Sequence, residues 1–294
     1  MPFINEDSNK LGLPLFLSVV QKNQPINKGS LKATLQQFLV SPMIIKNLDE
    51  LADIDGWSTF PAIIKLIDSQ GVRGEFFAEY IERIHHHLEE ALHFSRSKFA
   101  IIEDYLDGLE TTALVLVERG KIILRIISDR LTVEEYHTGI RKGYRTPSHS
   151  SSSDDIEKTN ILTSQVIKLL DIKSGPLYFR LKLTSNGPKI LEIGHRLDGG
   201  HIWQLIKLYC GVDIFEITSP LLMNEDLPSI DPQPKFRYGQ LDFSLQPPGE
   251  EFDSDRVELP KEILTYQPYF NKGVIVSPTI DILEKTYRFK RGEK

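Results

Sequence analysis

The sequence has little that would cross-link it or hold it in a membrane. Cys210 is its one cysteine, so neither an internal disulfide nor a metal cage of several cysteines can form within the chain. No run of apolar residues approaches the length of a membrane span. The first ten residues, MPFINEDSNK, lack the basic start and apolar core of a signal peptide. We therefore expect a cytoplasmic protein with no membrane partner.

A surplus of positive charge is also lacking. The 35 lysine and arginine residues are outnumbered by 41 acidic residues, which gives a formal net charge of −6. Without a broad basic field, the chain has no global electrostatic support for binding nucleic acid, so we expect no nucleic-acid partner. Hydrophobic residues make up 40% of the 294 residues and charged residues 26%. This balance is typical of a folded globular protein with one large unit or several smaller ones.

β-Rich segments dominate the pattern along the chain. Residues 60–67, FPAIIKLI, predict a strand that leads into a turn with two glycines. Apolar spacing over residues 75–93 predicts a helix after that turn, which gives the order strand, loop, helix. A further strand is predicted at 99–106. Two segments predict hairpins: residues 112–129, turning at Arg119-Gly120, and residues 177–194, turning at Asn186-Gly187.

Other segments read as helices and loops. Residues 30–41 and 154–172 have helical periodicity. The serine-rich stretch 143–155 predicts a mobile surface loop. Short strands and turns predict a small β-rich unit at the C-terminus.

Five segments of the chain occur together in an order that resembles one superfamily. They are PAIIKLIDSQGVRG, IIEDYLDGLE, IISDR, GPLYFRLKLTSNGPKILEIGHRLDGGH and GVD, within about residues 27–217. In this order the chain resembles the ATP-grasp superfamily, and specifically the ligases that join a carboxylate to an amine. The resemblance implies an α+β fold in which two lobes clamp ATP.

The resemblance also implies a chemistry and a domain division. A carboxylate substrate would be activated by ATP as an acyl phosphate and then attacked by an amine or a thiol. The alternative is a catalytically degenerate ATP-grasp protein that serves as a nucleotide-binding or protein-interaction subunit. The expected division is an N-terminal helical or linker segment at 1–57, a small lobe at 58–106, a large lobe at 107–218 and a β-rich C-terminal segment at 219–294.

Phosphate contacts are expected from two lysines and one loop. By resemblance, Lys65 and Lys28 reach the α and β phosphates. A lysine inside an apolar strand needs an anionic partner or an exit to water, which favours function over an edge-strand lysine at position 65. For Lys28 both interpretations stay open. The backbone of the loop that contains Ser69, Gly71 and Gly74 would approach the phosphate oxygens.

The base and ribose contacts are expected on the segment that follows. By resemblance, the Glu103 carbonyl and the Leu106 amide bind adenine, and the Glu110 carboxylate accepts hydrogen bonds from the ribose hydroxyls. Arg130 and Arg125 are candidates for binding a phosphate or the substrate carboxylate. Each of the two arginines could equally be a charge at the end of an exposed strand.

The hairpin at 177–194 departs from the family pattern for magnesium. By resemblance, Glu192 is a metal ligand and Arg196 contacts the phosphate or acyl phosphate. With a three-residue turn at Ser185-Asn186-Gly187, Arg180 lies opposite Glu192, where the family has its first acidic ligand. A guanidinium there discourages a divalent cation, so the magnesium site is in doubt.

Two interpretations of Arg180 stay open. In one, Arg180 and Glu192 form a cross-strand ion pair and the protein binds nucleotide weakly or not at all. In the other, Arg180 takes over part of the metal's role by neutralising phosphate charge, while Glu192 holds one remaining ion. Arg180 and Arg196 are then the candidate catalytic residues.

The chain also differs from the family before Lys28. Family members usually have an α/β domain of roughly a hundred residues there, whereas this sequence has 27. We expect either that a partner chain or a second copy supplies this domain, or that substrate binding is lost.

The histidines at positions 85, 86, 87 and 93 suggest a metal site only weakly. Three consecutive histidines point in different directions around a helix, and only His86 and His93 share a face. This pattern favours a solvated helix.

Overall fold

The structure of the chain, a computed structural model, describes residues 43–45, 54–66, 75–94, 100–133, 137, 139, 141–243, 265–268 and 272–277. Several sequence-based expectations lie outside these residues: the helix at 30–41, Lys28, and the loop with Ser69, Gly71 and Gly74. Within the described residues, no helix has both the length and the apolar character that a bilayer crossing requires.

A small antiparallel sheet forms from four strands in the order β1-β4-β2-β3. The strands are β1 (Met43–Ile45), β2 (Ala62–Leu66), β3 (Glu75–Ala78) and β4 (Ala100–Asp104). Helix α1 (Ile81–Phe94) covers one face. Its Ile84 and Leu88 are fully buried against Ile64 and Ile102 of the sheet, so the apolar stripe of the helix holds this unit together.

The helix predicted over residues 75–93 begins later than expected. Residues 75–78 form β3, which pairs with β2 so that Glu75 lies opposite Lys65 and Phe77 opposite Ile63. Aromatic residues fit a strand as well as a helix, and pairing with β2 decides between the two. The described elements here are therefore two strands, β2 and β3, followed by the helix α1.

A large antiparallel sheet of eight strands has the order β11-β12-β10-β7-β6-β5-β8-β9. Its strands are β5 (Leu109–Glu118), β6 (Lys121–Thr132), β7 (Arg141–Thr146), β8 (Gly175–Thr184), β9 (Gly187–Gly194), β10 (Tyr238–Phe243), β11 (Thr265–Pro268) and β12 (Lys272–Ser277). The β-rich C-terminal segment thus adds its strands to this sheet. The proposed domain boundaries stay a prediction.

Helices pack against both faces of the large sheet. They are α2 (Ser153–Leu169), α3 (Ile202–Cys210) and α4 (Ile214–Met223). Ala113 of β5 belongs to the core under α2, whereas its neighbour Leu114 belongs to the core under α3 and α4. Because both faces of β5 are covered, its sequence is a continuous apolar run instead of an alternating one. Helices α3 and α4 were not predicted from the sequence.

The β8–β9 hairpin has the predicted pairing of Arg180 with Glu192, but its turn is shorter than predicted. Its turn contains two residues, Ser185 and Asn186, and Gly187 already pairs with Thr184. The register then shifts by one residue, because Leu181 pairs with Ile190 whereas Arg180 pairs with Glu192. This bulge restores the opposition of Arg180 and Glu192 that a three-residue turn would have produced.

The serine-rich segment is held in place by Asp129, contrary to the mobile loop expected. The Asp129 carboxylate accepts hydrogen bonds from the Ser148 hydroxyl at 2.5 Å, the His149 amide at 2.9 Å and the Ser150 amide at 3.2 Å. Ser152 then caps α2 in a capping box with Asp155. A buried acid thus fixes the entry to the helix.

We predict that Asp129→Ala lowers the free energy of unfolding by about 3 kcal/mol, because it leaves two amide groups and a hydroxyl without their acceptor. Urea unfolding of the two proteins would measure the difference. The control is Asp154→Ala, which removes an exposed carboxylate paired with Lys158 at 2.6 Å and should cost at most about 1 kcal/mol. Equal losses in the two variants would contradict the role given to Asp129.

Candidate functional site

Charged side chains collect on one face of the large sheet, near its β8 side. Arg180 and Lys182 are two residues apart on β8, so they share a face. Glu110 of β5 lies directly opposite Lys182 in the register, and Thr112 lies opposite Arg180. Glu110 and Arg180 are therefore diagonal neighbours on the same face.

Glu110 is the centre of this cluster. Its carboxylate accepts two hydrogen bonds from Arg180, from Nε at 2.9 Å and from Nη2 at 3.0 Å. Arg130 of β6 donates a further bond to it and one to the Gly139 carbonyl at 2.9 Å. The Lys182 ammonium lies 4.0 Å from the carboxylate oxygen Oε1 of Glu110. The Glu110 side chain is only 3% exposed, so its charge depends on these cations instead of on water.

Opposing effects act on the ionisation of this carboxyl group. Burial alone would raise the pKa of Glu110, but the Arg180 and Arg130 guanidinium groups outweigh burial and lower it. Burial lowers the pKa of Lys182 against the opposing effect of Glu110. Glu110 is therefore held in its ionised form, and the basic side chains around it outnumber this one acid.

The small sheet contributes a second set of charges. Lys65 of β2 forms a short ion pair with Glu103 of β4, which supplies the anionic partner that a lysine in an apolar strand needs. Glu75 lies opposite Lys65. Burial raises the pKa of Glu75, against the opposing effects of Lys65 and Arg180. Cations of both sheets, Lys65 of the small one and Arg180 of the large one, thus act on the Glu75 carboxyl group.

Aromatic rings connect the sheets beside these charges. The Phe77 ring of β3 stacks on His137, with centroids 4.3 Å apart, and meets the edge of Tyr105 at 5.1 Å. The Lys182 ammonium lies 5.7 Å from the centre of the Tyr105 ring and donates to the Gly108 carbonyl at 2.9 Å. Lys182 therefore ties the large sheet to the segment that links it with the small one.

A cavity of about 300 Å³ opens beside this linking segment. Residues 105–108, including Leu106, line one side of it, and the β8–β9 turn with Lys189 lines the other. Its volume is at the lower end of the range for small-molecule pockets. Leu106 thus lies at a cavity, and Glu103 precedes it on β4 with its side chain bound to Lys65.

The hairpin expected to hold magnesium does not present a pair of acids. Arg180 lies opposite Glu192 in the register, and the Glu192 carboxylate accepts from Arg196 at 2.9 Å in a half-exposed pair. Arg180 instead binds Glu110. Magnesium prefers several hard oxygen ligands, and a single carboxylate beside two guanidinium groups does not provide them. The described residues of this hairpin do not fit a magnesium site.

The other candidate residues differ in where they lie. Arg130 lies in the charged cluster. Arg125 lies on the opposite face of the sheet, where it donates to Asn160 at 3.1 Å and to Ser164 at 2.6 Å on α2, so it lies apart from the charged cluster. Lys28, Ser69, Gly71 and Gly74 lie outside the described residues.

Lys182 and Glu75 were missed by the sequence interpretation. The signal for Lys182 was available, because a residue two positions from Arg180 on a strand shares its face. Glu75 was assigned to a helix, and its position opposite Lys65 emerges only from the β2–β3 pairing.

No family model matches this sequence, and a search of curated proteins found no match. Solved structures do match. An L-amino acid ligase from Bacillus licheniformis is 16% identical, with a TM-score of 0.74 over 100% of this chain and 77% of the ligase. A carboxyaminoimidazole ribonucleotide synthase from Aspergillus clavatus, solved with ATP, is 14% identical, with a TM-score of 0.69 over 91% and 72% of the two chains.

A third match is a biotin carboxylase domain. It belongs to the 2-oxoglutarate carboxylase of Hydrogenobacter thermophilus, solved with MgADP, ADP and bicarbonate. The identity is 15% and the TM-score 0.65, over 88% of this chain and 63% of that one. Similarity at this level of identity establishes a fold and leaves the activity open. The predicted α+β fold is confirmed.

We predict that the stability of the protein falls as the pH decreases below about 4.5, the ordinary value for a glutamate. The folded-state pKa of Glu110 is lower than this, so the unfolded state binds the proton first and acid favours unfolding. Glu110→Gln should cost about 3–5 kcal/mol at neutral pH and flatten the acid dependence. Urea unfolding between neutral pH and about pH 3 would measure both.

The matched control is Glu192→Gln, because Glu192 is half exposed and pairs with Arg196 at the surface. This change should cost no more than about 1 kcal/mol. The role of Glu110 would be contradicted by a variant that loses no stability at neutral pH or keeps the acid dependence of the unchanged protein.

Proposed function

We propose that this chain, which has the ATP-grasp fold, binds a nucleoside triphosphate between its two sheets through cationic side chains instead of through magnesium. In this proposal it is a diverged protein that does not catalyse metal-dependent ligation. The observation that carries the proposal is the position of Arg180, which lies opposite Glu192 and is held by Glu110.

The charge balance of the site supports an anionic ligand. Lys65 of the small sheet and Arg130, Arg180 and Lys182 of the large sheet outnumber their acidic partners, Glu103 and Glu110. Burial raises the pKa of Glu75, so this carboxyl takes up a proton more readily than an ordinary glutamate. A triphosphate would exchange these carboxylates for its own oxygens, and arginine offers a planar pair of donors for each phosphate.

The magnesium-dependent alternative is supported by the fold alone. The structural neighbours are ATP-dependent ligases and synthases, and an active member would bind a carboxylate substrate and form an acyl phosphate. Among the residues that the structure describes, this hairpin provides one half-exposed carboxylate, Glu192, where two acids are expected. The carboxylate substrate and a partner chain or second copy that completes the protein stay predictions.

We predict that a non-hydrolysable ATP analogue binds in the absence of magnesium at least as tightly as in its presence. Free triphosphate keeps all its charge for Lys65, Arg130 and Arg180, whereas bound magnesium would neutralise part of it. Lys65→Ala should weaken binding by about 10- to 100-fold, the range for loss of a bond to a charged group. Isothermal titration with either magnesium or EDTA would measure these affinities.

The control variant is Lys173→Ala, which removes an exposed lysine paired with Asp171 and should leave the affinity unchanged. Tighter binding with magnesium, together with ADP release from ATP in mixtures of acids and amines, would contradict the proposal and favour an active ligase. Absence of binding under either condition would also contradict it, and would favour the protein-interaction subunit.

Exchange of Arg180 for an acid should restore magnesium dependence. The single change Arg180→Glu would place a carboxylate beside Glu110, so we pair it with Glu110→Gln to avoid two buried anions. The double variant presents an acid opposite Glu192, and we predict that it binds the ATP analogue more tightly with magnesium than with EDTA. The same titration tests it.

Glu110→Gln alone is the control, because it removes the buried acid and keeps the arginine. This variant should gain no magnesium dependence. If the double variant is folded and still binds equally well with magnesium and with EDTA, Arg180 is not the group that excludes the metal.

A further inference from the structure

Three side chains of α1 lie close together, and none of them has a role in the nucleotide site. They are His86, His87 and Glu90, and their ligand atoms all lie within 4.8 Å of one another. The spacing explains this convergence, because Glu90 is four residues after His86 and three after His87, and both spacings bring side chains together on a helix. Within the part of the chain that the structure describes, it is the one such group of three.

The ring of His87 is fixed in place by packing. It stacks on Phe76 with centroids 4.8 Å apart and an interplanar angle of 15°. Its Nδ1 atom is buried and has no hydrogen-bond partner among the described residues. The nearest carboxylate oxygen, on Glu90, lies 3.9 Å away, which is too far for a hydrogen bond. A buried nitrogen without a partner is costly unless something else binds it.

The histidine that precedes this group on α1 has another partner. His85 has a different role, because its Nε2 lies 3.0 Å from the Asp55 carboxylate. Consecutive histidines of this helix therefore have different partners.

We propose that His86, His87 and Glu90 bind a transition-metal ion such as zinc at the surface of α1. Two imidazole nitrogens and a carboxylate oxygen are ligands that zinc, copper and nickel accept. Ligands at about 2.1 Å from a tetrahedral ion are roughly 3.4 Å apart. The exposed side chains of His86 and Glu90 would close around the fixed ring of His87 from present separations of up to 4.8 Å. Water completes the coordination on the open side.

We predict that the untagged full chain binds one zinc ion with an affinity that depends on these three residues. His86→Ala and Glu90→Gln should each weaken binding by at least about 10-fold, since loss of even an outer-shell partner costs 10- to 100-fold. Both side chains are exposed, so neither change should unfold the protein. Competition with a chromophoric chelator measures the affinity, and cobalt absorption reports the ligand geometry.

His85→Ala is the matched control, because it removes the neighbouring histidine that contacts Asp55. This change should leave zinc affinity and the cobalt spectrum unchanged. The proposal is overturned if His86→Ala and Glu90→Gln bind zinc like the unchanged protein, or if His85→Ala weakens binding as much as they do. A magnesium titration without nucleotide, with EDTA as the metal-free reference, keeps this result separate from that of the nucleotide site.

Discussion

The buried carboxylate of Glu110 is the interaction on which the charged site depends. It joins β5 to β6 through Arg130 and to β8 through Arg180, so two strands place their cations around one acid on a third. Without that acid, two buried guanidinium groups would repel each other inside a poorly solvated space. The same bidentate bond orients the Arg180 side chain along the sheet, toward the Glu110 carboxylate. This one ion cluster thus both stabilises the sheet and sets the charge of the proposed binding site.

The acidic partners of these cations impose a condition on any anionic ligand. Each cation that would receive a phosphate already has an acidic partner, Lys65 with Glu103 and Arg180 with Glu110. A ligand therefore gains only the difference between its own bonds and the bonds that it replaces. Multiply charged ligands meet this condition better than monoanions, because several exchanges occur together. Under the proposed function, a preference for polyanions would follow from this pairing.

The fold and part of the site could be predicted from sequence because their signals are local. Strand alternation and turn residues located β2, β4 and the hairpins, and the opposition of Arg180 and Glu192 followed from strand pairing. The turn itself was wrong, because a bulge compensated for its length. The Arg180–Glu110 bond joins residues 70 positions apart, and no local pattern marks it. β3 likewise needed its partner strand to distinguish it from the start of a helix.

The order of strands in the large sheet has a consequence for biosynthesis. β7 pairs on one side with β6 and on the other with β10, whose Gln240 bonds to Arg145 across 95 residues of sequence. A chain emerging from the ribosome therefore carries β7 as an unpaired edge until β10 has been translated. Unpaired edges recruit other strands, and such long-range pairing forms slowly. The nascent protein is thus most exposed to misassembly while the residues between β7 and the end of β10, 147–243, are being synthesised.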